Sequence, residues 1–162
     1  MSAADLYQEL IVAHAKVPRY PAIPEGASIT RRDNPMCGDR IDIGTIVLGS
    51  KLISMGALIR GCALCVASAS MMSEVVTGMH IESIHSLAAQ FIASLDKQTD
   101  KQTTAKINQT AVSLGDLDAF QGVREVPSRK KCATLPWEAL LAALNDSPGT
   151  CSEILAQTEP MT

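Results

Sequence analysis

Five cysteines are the residues of this 162-residue chain that can carry the most chemistry. Their number is odd, and a chain of this length buries enough surface to fold without disulfide crosslinks. With no secretion signal expected, such cysteines are more often metal ligands or reactive thiols than disulfide partners. The composition therefore indicates a metal site or a reactive thiol. The five cysteines are Cys37, Cys62, Cys65, Cys132 and Cys151.

The first cysteine lies in the turn-forming run Asn34-Pro35-Met36-Cys37-Gly38-Asp39, just before a predicted strand. Gly38 can adopt backbone torsions that let the flanking side chains converge on one point. Cys37 and Asp39 could then offer a thiolate and a carboxylate to the same centre.

Two further cysteines lie near predicted helix starts. Cys62 follows Gly61, and Cys132 follows the basic run Arg129-Lys130-Lys131. A helix N-terminus and nearby positive charge both stabilise a thiolate, so we expect lowered thiol pKa values there. Three thiolates and one carboxylate suit tetrahedral zinc, and thiolates also hold iron–sulfur clusters. The scattered spacing by itself is at least as compatible with buried structural cysteines.

A small sheet followed by helices must position these residues. Alternating hydrophobic residues predict strands at 41–45 and 51–59, joined by a two-residue turn at Gly49-Ser50. Residues 28–32 are predicted to add a third strand. The expected fold class is therefore α+β, a small antiparallel three-stranded sheet packed against several helices.

Helical spacing and helix-breaking residues predict the other elements. The last helix is expected to have Ser128 as its N-cap and a kink or break at Pro136. Gly78 is the residue expected to follow the end of the second helix. The predicted helices span residues 5–16, 63–77, 80–95, 114–121 and 128–145.

One domain is expected over residues 1–145, followed by a flexible tail over 146–162 that is rich in Pro, Gly, Ser and Thr. The polar segment 96–110 is predicted to be a loop or a frayed helix end. Hydrophobic residues make up 46% of the chain, enough for one core. That core must be mainly aliphatic, because aromatic residues make up only 3%.

Charge and hydropathy exclude several classes of partner. A net charge of −3 and a pI near 5.6 argue against nucleic acid or an anionic membrane as the main partner. No run of ~18 apolar residues offers a transmembrane helix, and the first residues lack the pattern of a signal peptide. A cytoplasmic location is therefore expected.

Three runs around the cysteines are distinctive. They are Asn34-Pro35-Met36-Cys37-Gly38-Asp39-Arg40-Ile41, Gly61-Cys62-Ala63-Leu64-Cys65-Val66-Ala67-Ser68-Ala69-Ser70-Met71-Met72 and Lys131-Cys132-Ala133-Thr134-Leu135-Pro136-Trp137-Glu138-Ala139-Leu140. In this order they resemble the signatures NP-x-CGD-x-I, GC-x-x-S-x-ASASMM and KCATL-x-W-x-AL of the IscU/NifU/SufU family of iron–sulfur assembly proteins. With His14-x-x-x-Pro18-Arg19, the likeness covers residues 6–145.

Within that family the chain resembles the SufU branch. Residues 114–123 and the run Pro127-x-Arg129-x-Lys131-Cys132 are similar to the segment that SufU proteins carry before their third cysteine. IscU proteins have a histidine directly before that cysteine, whereas this chain has Lys131. The chain departs from the family pattern at three residues: Cys65 stands where serine is usual, Ile59 where glycine is usual and Ala15 where tyrosine is common. Residues 96–113 also match poorly.

The SufU resemblance implies a zinc-dependent sulfur acceptor for a SufS-type cysteine desulfurase, sulfurtransferase-like rather than a stand-alone enzyme. It implies Cys37 as the thiol that takes the persulfide sulfur, with Arg129 beside the site. One alternative is a scaffold that assembles a [2Fe–2S] cluster on Cys37, Cys62 and Cys132; downstream scaffold or carrier proteins are further expected partners. A second alternative is a purely structural zinc interaction module. The implied zinc ligands are Cys37, Asp39, Cys62 and Cys132.

Overall fold

Three antiparallel strands form the sheet of the computed structural model, which describes residues 2–96 and 115–146. The strands lie in the order β1 (Ser28–Asn34), β2 (Asp39–Leu48) and β3 (Lys51–Arg60). The helices are α1 (Ala3–Lys16), α2 (Ala63–Val76), α3 (Ile81–Ser94), a 3₁₀ helix (Gly115–Glu125) and α4 (Pro127–Asp146). The predicted α+β class, with a small antiparallel sheet packed against helices, is confirmed.

The turns at the ends of these elements follow the sequence signals closely. Gly49-Ser50 joins β2 to β3 as predicted, with Gly49 at a φ of 63°. Gly78 follows the end of α2 at a φ of 87°, a conformation that glycine adopts without steric cost. The predicted polar loop after residue 96 and the predicted tail after residue 146 lie outside the described residues.

The last helix differs from its prediction at its start and at Pro136. It begins with Pro127 as its first residue, so Ser128 is not the N-cap; proline suits this position because the first N–H of a helix needs no partner. Pro136 cannot donate to the Cys132 carbonyl four residues earlier, yet α4 continues without a break. Residues 132–137 are all buried, so tertiary packing keeps the helix continuous.

The core lies between the inner face of the sheet and the helices. Trp137 packs on Phe91 with ring centroids 5.0 Å apart, and Phe120 meets Phe91 edge-on at 5.7 Å. The small residues of α2 allow close helix approach, and the buried Ser68 hydroxyl donates to the Ala133 carbonyl of α4 at 2.5 Å. Among the described residues, no helix is long and apolar enough to cross a membrane.

His14 anchors the connector that follows α1. The residue is 2% exposed, and its Nδ1 lies 2.7 Å from the Ser70 hydroxyl of α2. The same hydroxyl accepts the Arg19 N–H at 2.8 Å. Burial, followed by the nearby Arg19 charge, lowers the pKa of His14. The neutral ring can therefore accept a hydrogen bond from the Ser70 hydroxyl and hold α1, the connector and α2 together.

The same connector crosses the outer face of the sheet at Gly56. A Cβ on Gly56 would overlap the Ala22 carbonyl oxygen and lie 2.7 Å from the Ile23 Cα. The connector can lie against β3 at this point only because residue 56 has no side chain.

Gly56→Ala should therefore lower the free energy of unfolding by ~2 kcal/mol or more, because the overlapping atom is backbone and cannot rotate away. Gly122→Ala in the 3₁₀ helix is the matched control, since its added Cβ would meet nothing within 4 Å. We expect that control to change stability by less than ~0.5 kcal/mol. Urea denaturation of both variants measures the difference; equal losses would contradict the close approach at Gly56.

Candidate metal centre

Four separate elements bring the four predicted ligands to one end of the sheet. Cys37 lies in the turn between β1 and β2, and Asp39 is the first residue of β2. Cys62 is the N-cap of α2, and Cys132 lies in the second turn of α4. The convergence depends on chain segments that are far apart, since Cys37 and Cys132 are 95 positions apart.

The distances between the donor atoms suit a tetrahedral metal. The Sγ atoms of Cys37 and Cys132 are 3.5 Å apart, and the Cys62 Sγ is 3.7 Å from the Asp39 Oδ2. Donor atoms of Cys37, Asp39 and Cys132 all lie within 4.8 Å of one another. Two thiolates on one tetrahedral zinc are about 3.8 Å apart at a Zn–S distance of about 2.3 Å. The donors of Cys37, Asp39 and Cys132 therefore lie at spacings that suit zinc, and Cys62 lies beside Asp39 at the edge of this group.

Asp39 is oriented by the backbone around Cys62. Its carboxylate is buried, and its Oδ1 accepts the Cys62 N–H at 3.0 Å. A Cβ on Gly61 would lie 2.9 Å from that same oxygen, so residue 61 must be small for the carboxylate to sit there. The hydrogen bond occupies Oδ1, while Oδ2 faces the Cys62 sulfur.

Asn34 is a site residue that the sequence reasoning did not single out. It is 4% exposed, and its side-chain amide donates to the Cys37 Sγ at 3.3 Å. Its Oδ1 accepts the Met36 N–H at 3.2 Å, and its carbonyl accepts the Gly38 N–H at 2.9 Å. Gly38 has a φ of 71°. The Asn-Pro pair at the start of this turn is the signal that could have identified Asn34.

Comparison with known proteins supplies the family. The family model described as NifU-like N terminal domain matches residues 6–108. A zinc-dependent sulfurtransferase SufU from Bacillus subtilis (strain 168) is 35% identical over 140 residues, 83% of this chain and 86% of the relative. The chain belongs to the IscU/NifU/SufU family of iron–sulfur cluster assembly proteins.

Two other relatives extend this result. An iron–sulfur cluster assembly scaffold protein IscU from Streptococcus pyogenes serotype M1 is 30% identical over 142 residues, 88% of this chain and 84% of the relative. A crystal structure from Fervidobacterium islandicum AW-1, described as an assembly scaffold protein for the SUF system, has a TM-score of 0.68 at 25% identity. It covers 88% of this chain and 99% of its own. The higher identity to SufU than to IscU agrees with the SufU branch.

The four proposed ligands of this family member differ in their access to solvent. Cys37 is exposed in its turn, Cys62 is half-buried, and Asp39 and Cys132 are buried. The accessible face of the centre is therefore the turn that carries Cys37. Cys37 is therefore the most accessible of the four residues.

The lowered pKa expected for the Cys132 thiol is wrong. Burial raises the pKa of Cys132, and hydrogen bonds to Cys37, Cys62 and Asp39 raise it further. These neighbours are themselves acidic groups, so they disfavour another negative charge more than the helix start favours it. A cation at the centre reverses this balance, because a coordinated thiol is held deprotonated.

The remaining predicted residues lie around this cluster. Arg129 is exposed in the first turn of α4, three residues before Cys132, and so on the same side of the helix. Its role beside the site stays a prediction. Cys65 is buried within α2, where burial, and then the nearby Asp39, Cys62 and Cys37, raise the pKa of its thiol to about 12. Cys151 lies outside the described residues.

Proposed function

We propose that this protein is a zinc-dependent sulfur acceptor that takes persulfide sulfur from a SufS-type cysteine desulfurase. The observation that carries the proposal is an exposed thiol, Cys37, in a cluster whose other donors are half-buried or buried. A purely structural zinc site is closed, whereas this cluster keeps one ligand accessible. A SufU relative named as a zinc-dependent sulfurtransferase supports the same function. The proposed zinc ligands are Cys37, Asp39, Cys62 and Cys132.

Zinc, when bound, holds the ligand thiols as thiolates. In the transfer step the Cys37 thiolate attacks the outer sulfur of the partner's persulfide. A new S–S bond forms at the Cys37 Sγ, the S–S bond in the partner breaks, and the partner's cysteine leaves as a thiolate. Asn34 donates to the Cys37 sulfur at 3.3 Å and so orients it. The positive charge of Arg129 would attract the anionic persulfide toward this face.

The proposal is tested by adding the isolated protein to a SufS-type desulfurase and cysteine without a strong reductant. Mass spectrometry of peptides should find one added sulfur on Cys37 before any other cysteine. Metal analysis of the same preparation should find about one zinc per chain. Sulfur appearing first on Cys65 or Cys151 would mean that Cys37 is not the acceptor.

The scaffold alternative uses the same three thiols, since thiolates also hold [2Fe–2S] clusters. Relatives named as IscU scaffolds favour it. Lys131 stands where IscU proteins have histidine, so this chain lacks that donor next to Cys132. Anaerobic incubation with iron and sulfide, followed by absorption spectroscopy, distinguishes the two functions. A stable cluster at full occupancy, with no effect on desulfurase turnover, would favour the scaffold.

Asp39→Cys should bind zinc more tightly and accept sulfur more slowly than the wild type. A carboxylate is a harder and weaker zinc partner than a thiolate, so the native centre exchanges ligands more readily. Competition with a chromogenic chelator measures zinc affinity, and desulfurase stimulation measures sulfur acceptance. A variant that accepts sulfur at the wild-type rate would show that Asp39 has no such tuning role.

A further inference from the structure

Cys65 is a fifth thiol beside the metal centre. It is fully buried in the first turn of α2, three residues after Cys62. The Cys62 carbonyl accepts the Val66 N–H at 3.1 Å, so the helical hydrogen-bond pattern already starts at Cys62. Two residues three apart in a helix have Cα atoms about 5 Å apart. Disulfides span Cα separations of about 4.4–6.8 Å, so a Cys62–Cys65 disulfide requires little backbone movement.

The two thiols of this pair differ in access. Cys62 is half-buried and faces the centre, with its sulfur 3.7 Å from the Asp39 Oδ2. Cys65 has no solvent-exposed surface. An external reagent can therefore reach Cys62 but not Cys65, while the helical spacing places Cys65 next to Cys62. This is the arrangement of an attacking and a resolving thiol.

Sulfur that arrives as a persulfide is not yet the sulfide that iron–sulfur clusters contain. The outer sulfur of a persulfide must gain two electrons to leave as sulfide. Two thiols that become one disulfide supply those two electrons. A chain that accepts persulfide sulfur and holds a dithiol at the same centre has both the sulfur and the two electrons that its reduction needs.

We propose that Cys62 and Cys65 form a dithiol that reduces the acquired sulfur and releases it as sulfide. The inference rests on the proposed sulfur-acceptor function and extends it with a second chemical step. It concerns this chain in particular, because Cys65 stands where the resembled family has serine.

The reaction balances within the protein. The Cys62 thiolate attacks the outer sulfur of the Cys37 persulfide, which moves that sulfur to Cys62 and leaves Cys37 as a thiolate. The Cys65 sulfur then attacks the Cys62 Sγ as its thiol proton passes to the outer sulfur, so the Cys62–Cys65 disulfide forms and the bond to the outer sulfur breaks. That sulfur departs with both bonding electrons as hydrogen sulfide. A further turnover needs a dithiol reductant to reopen the disulfide.

The Cys132 thiol links the positions involved in the first of these two steps. It lies 3.5 Å from the Cys37 sulfur and also interacts with the Cys62 thiol. The first transfer therefore occurs within one cluster of sulfur atoms. Because Cys62 is also a proposed metal ligand, the disulfide and full metal ligation exclude each other.

Cys65→Ser is the variant that tests the dithiol, since serine is close in size and leaves the four proposed ligands intact. Wild type and variant are loaded by a SufS-type desulfurase and cysteine, separated from both, and left without reductant. The wild type should release sulfide and gain a Cys62–Cys65 disulfide in peptide mapping, losing bound zinc in step. The variant should keep its persulfide on Cys37, and its rate of sulfide release should be at least ~10-fold lower than that of the wild type.

Three results would overturn the inference. One is equal sulfide release by Cys65→Ser, and another is a wild-type disulfide that joins Cys37 to Cys132 instead. The third is the absence of a Cys62–Cys65 disulfide when the wild type is incubated in a glutathione redox buffer without desulfurase. Failure of the proposed function looks different: neither protein gains a persulfide, while the glutathione buffer still oxidises the pair in the wild type only.

Discussion

Cys37→Ala is expected to fold, to keep part of its metal binding and to lose sulfur acceptance. The exposed turn that carries Cys37 contributes little to the core, so removing one sulfur there should leave the fold unchanged. The thiolate is the attacking group, and removing a nucleophile leaves no other group in its position. Stimulation of a SufS-type desulfurase should therefore fall by at least ~100-fold. Measurement of alanine formation from cysteine reports this turnover.

Leu48→Ala is the control for that experiment. Leu48 is exposed at the end of β2 opposite to Asp39 and has no proposed role in the centre, so desulfurase stimulation should stay near the wild-type value. Circular dichroism of both variants checks that each is folded. Full activity of Cys37→Ala, with sulfur found on another cysteine, would show that Cys37 is not the nucleophile.

Cys62→Ala and Cys132→Ala are each expected to lose bound zinc and to become less stable. Each substitution removes a thiolate from the half-buried or buried part of the centre and leaves three of the four proposed protein donors, so the affinity for zinc should fall. Metal binding in such a centre also stabilises the folded chain, since its ligands come from segments far apart in sequence. Loss of zinc should lower the free energy of unfolding by about 3 kcal/mol when the free zinc concentration is a hundred times the dissociation constant.

Two measurements check this expectation. Elemental analysis of protein purified without added metal or chelator gives the zinc content, and thermal unfolding with and without chelator gives its contribution to stability. The wild type with chelator should resemble the two variants, while Cys65→Ser should keep its zinc. Full zinc retention by both Cys62→Ala and Cys132→Ala would remove these two residues from the ligand set.

The sequence by itself determined the local elements and the identity of the cysteines that converge. Alternation predicted the β2–β3 hairpin with its turn at Gly49-Ser50, because glycine and polar residues between two hydrophobic runs favour a tight turn. Helical spacing predicted α1, α2 and α3 to within a few residues. The ordered motifs around Cys37, Cys62 and Cys132 indicated the family without any three-dimensional information. These signals are all local in the chain.

Only the tertiary structure decided how the centre is supported. The bond from Asn34 to the Cys37 sulfur depends on the side-chain orientation in a four-residue turn. The approach of Asp39 to Gly61 depends on the register between β2 and β3, which pairs Arg40 with Arg60. Neither distance follows from residue types, because each depends on how two segments pack against each other.

At Cys132 and Pro136, tertiary burial outweighs the local preference that the sequence indicates. Basic neighbours and a helix start favour a lowered Cys132 pKa, but burial among acidic donors outweighs them and raises it. A proline favours a break in α4, but the buried residues around it hold the helix together. Local preferences amount to about 1–3 kcal/mol each. Burial among groups from distant parts of the chain exceeds them, and only the folded structure contains that burial.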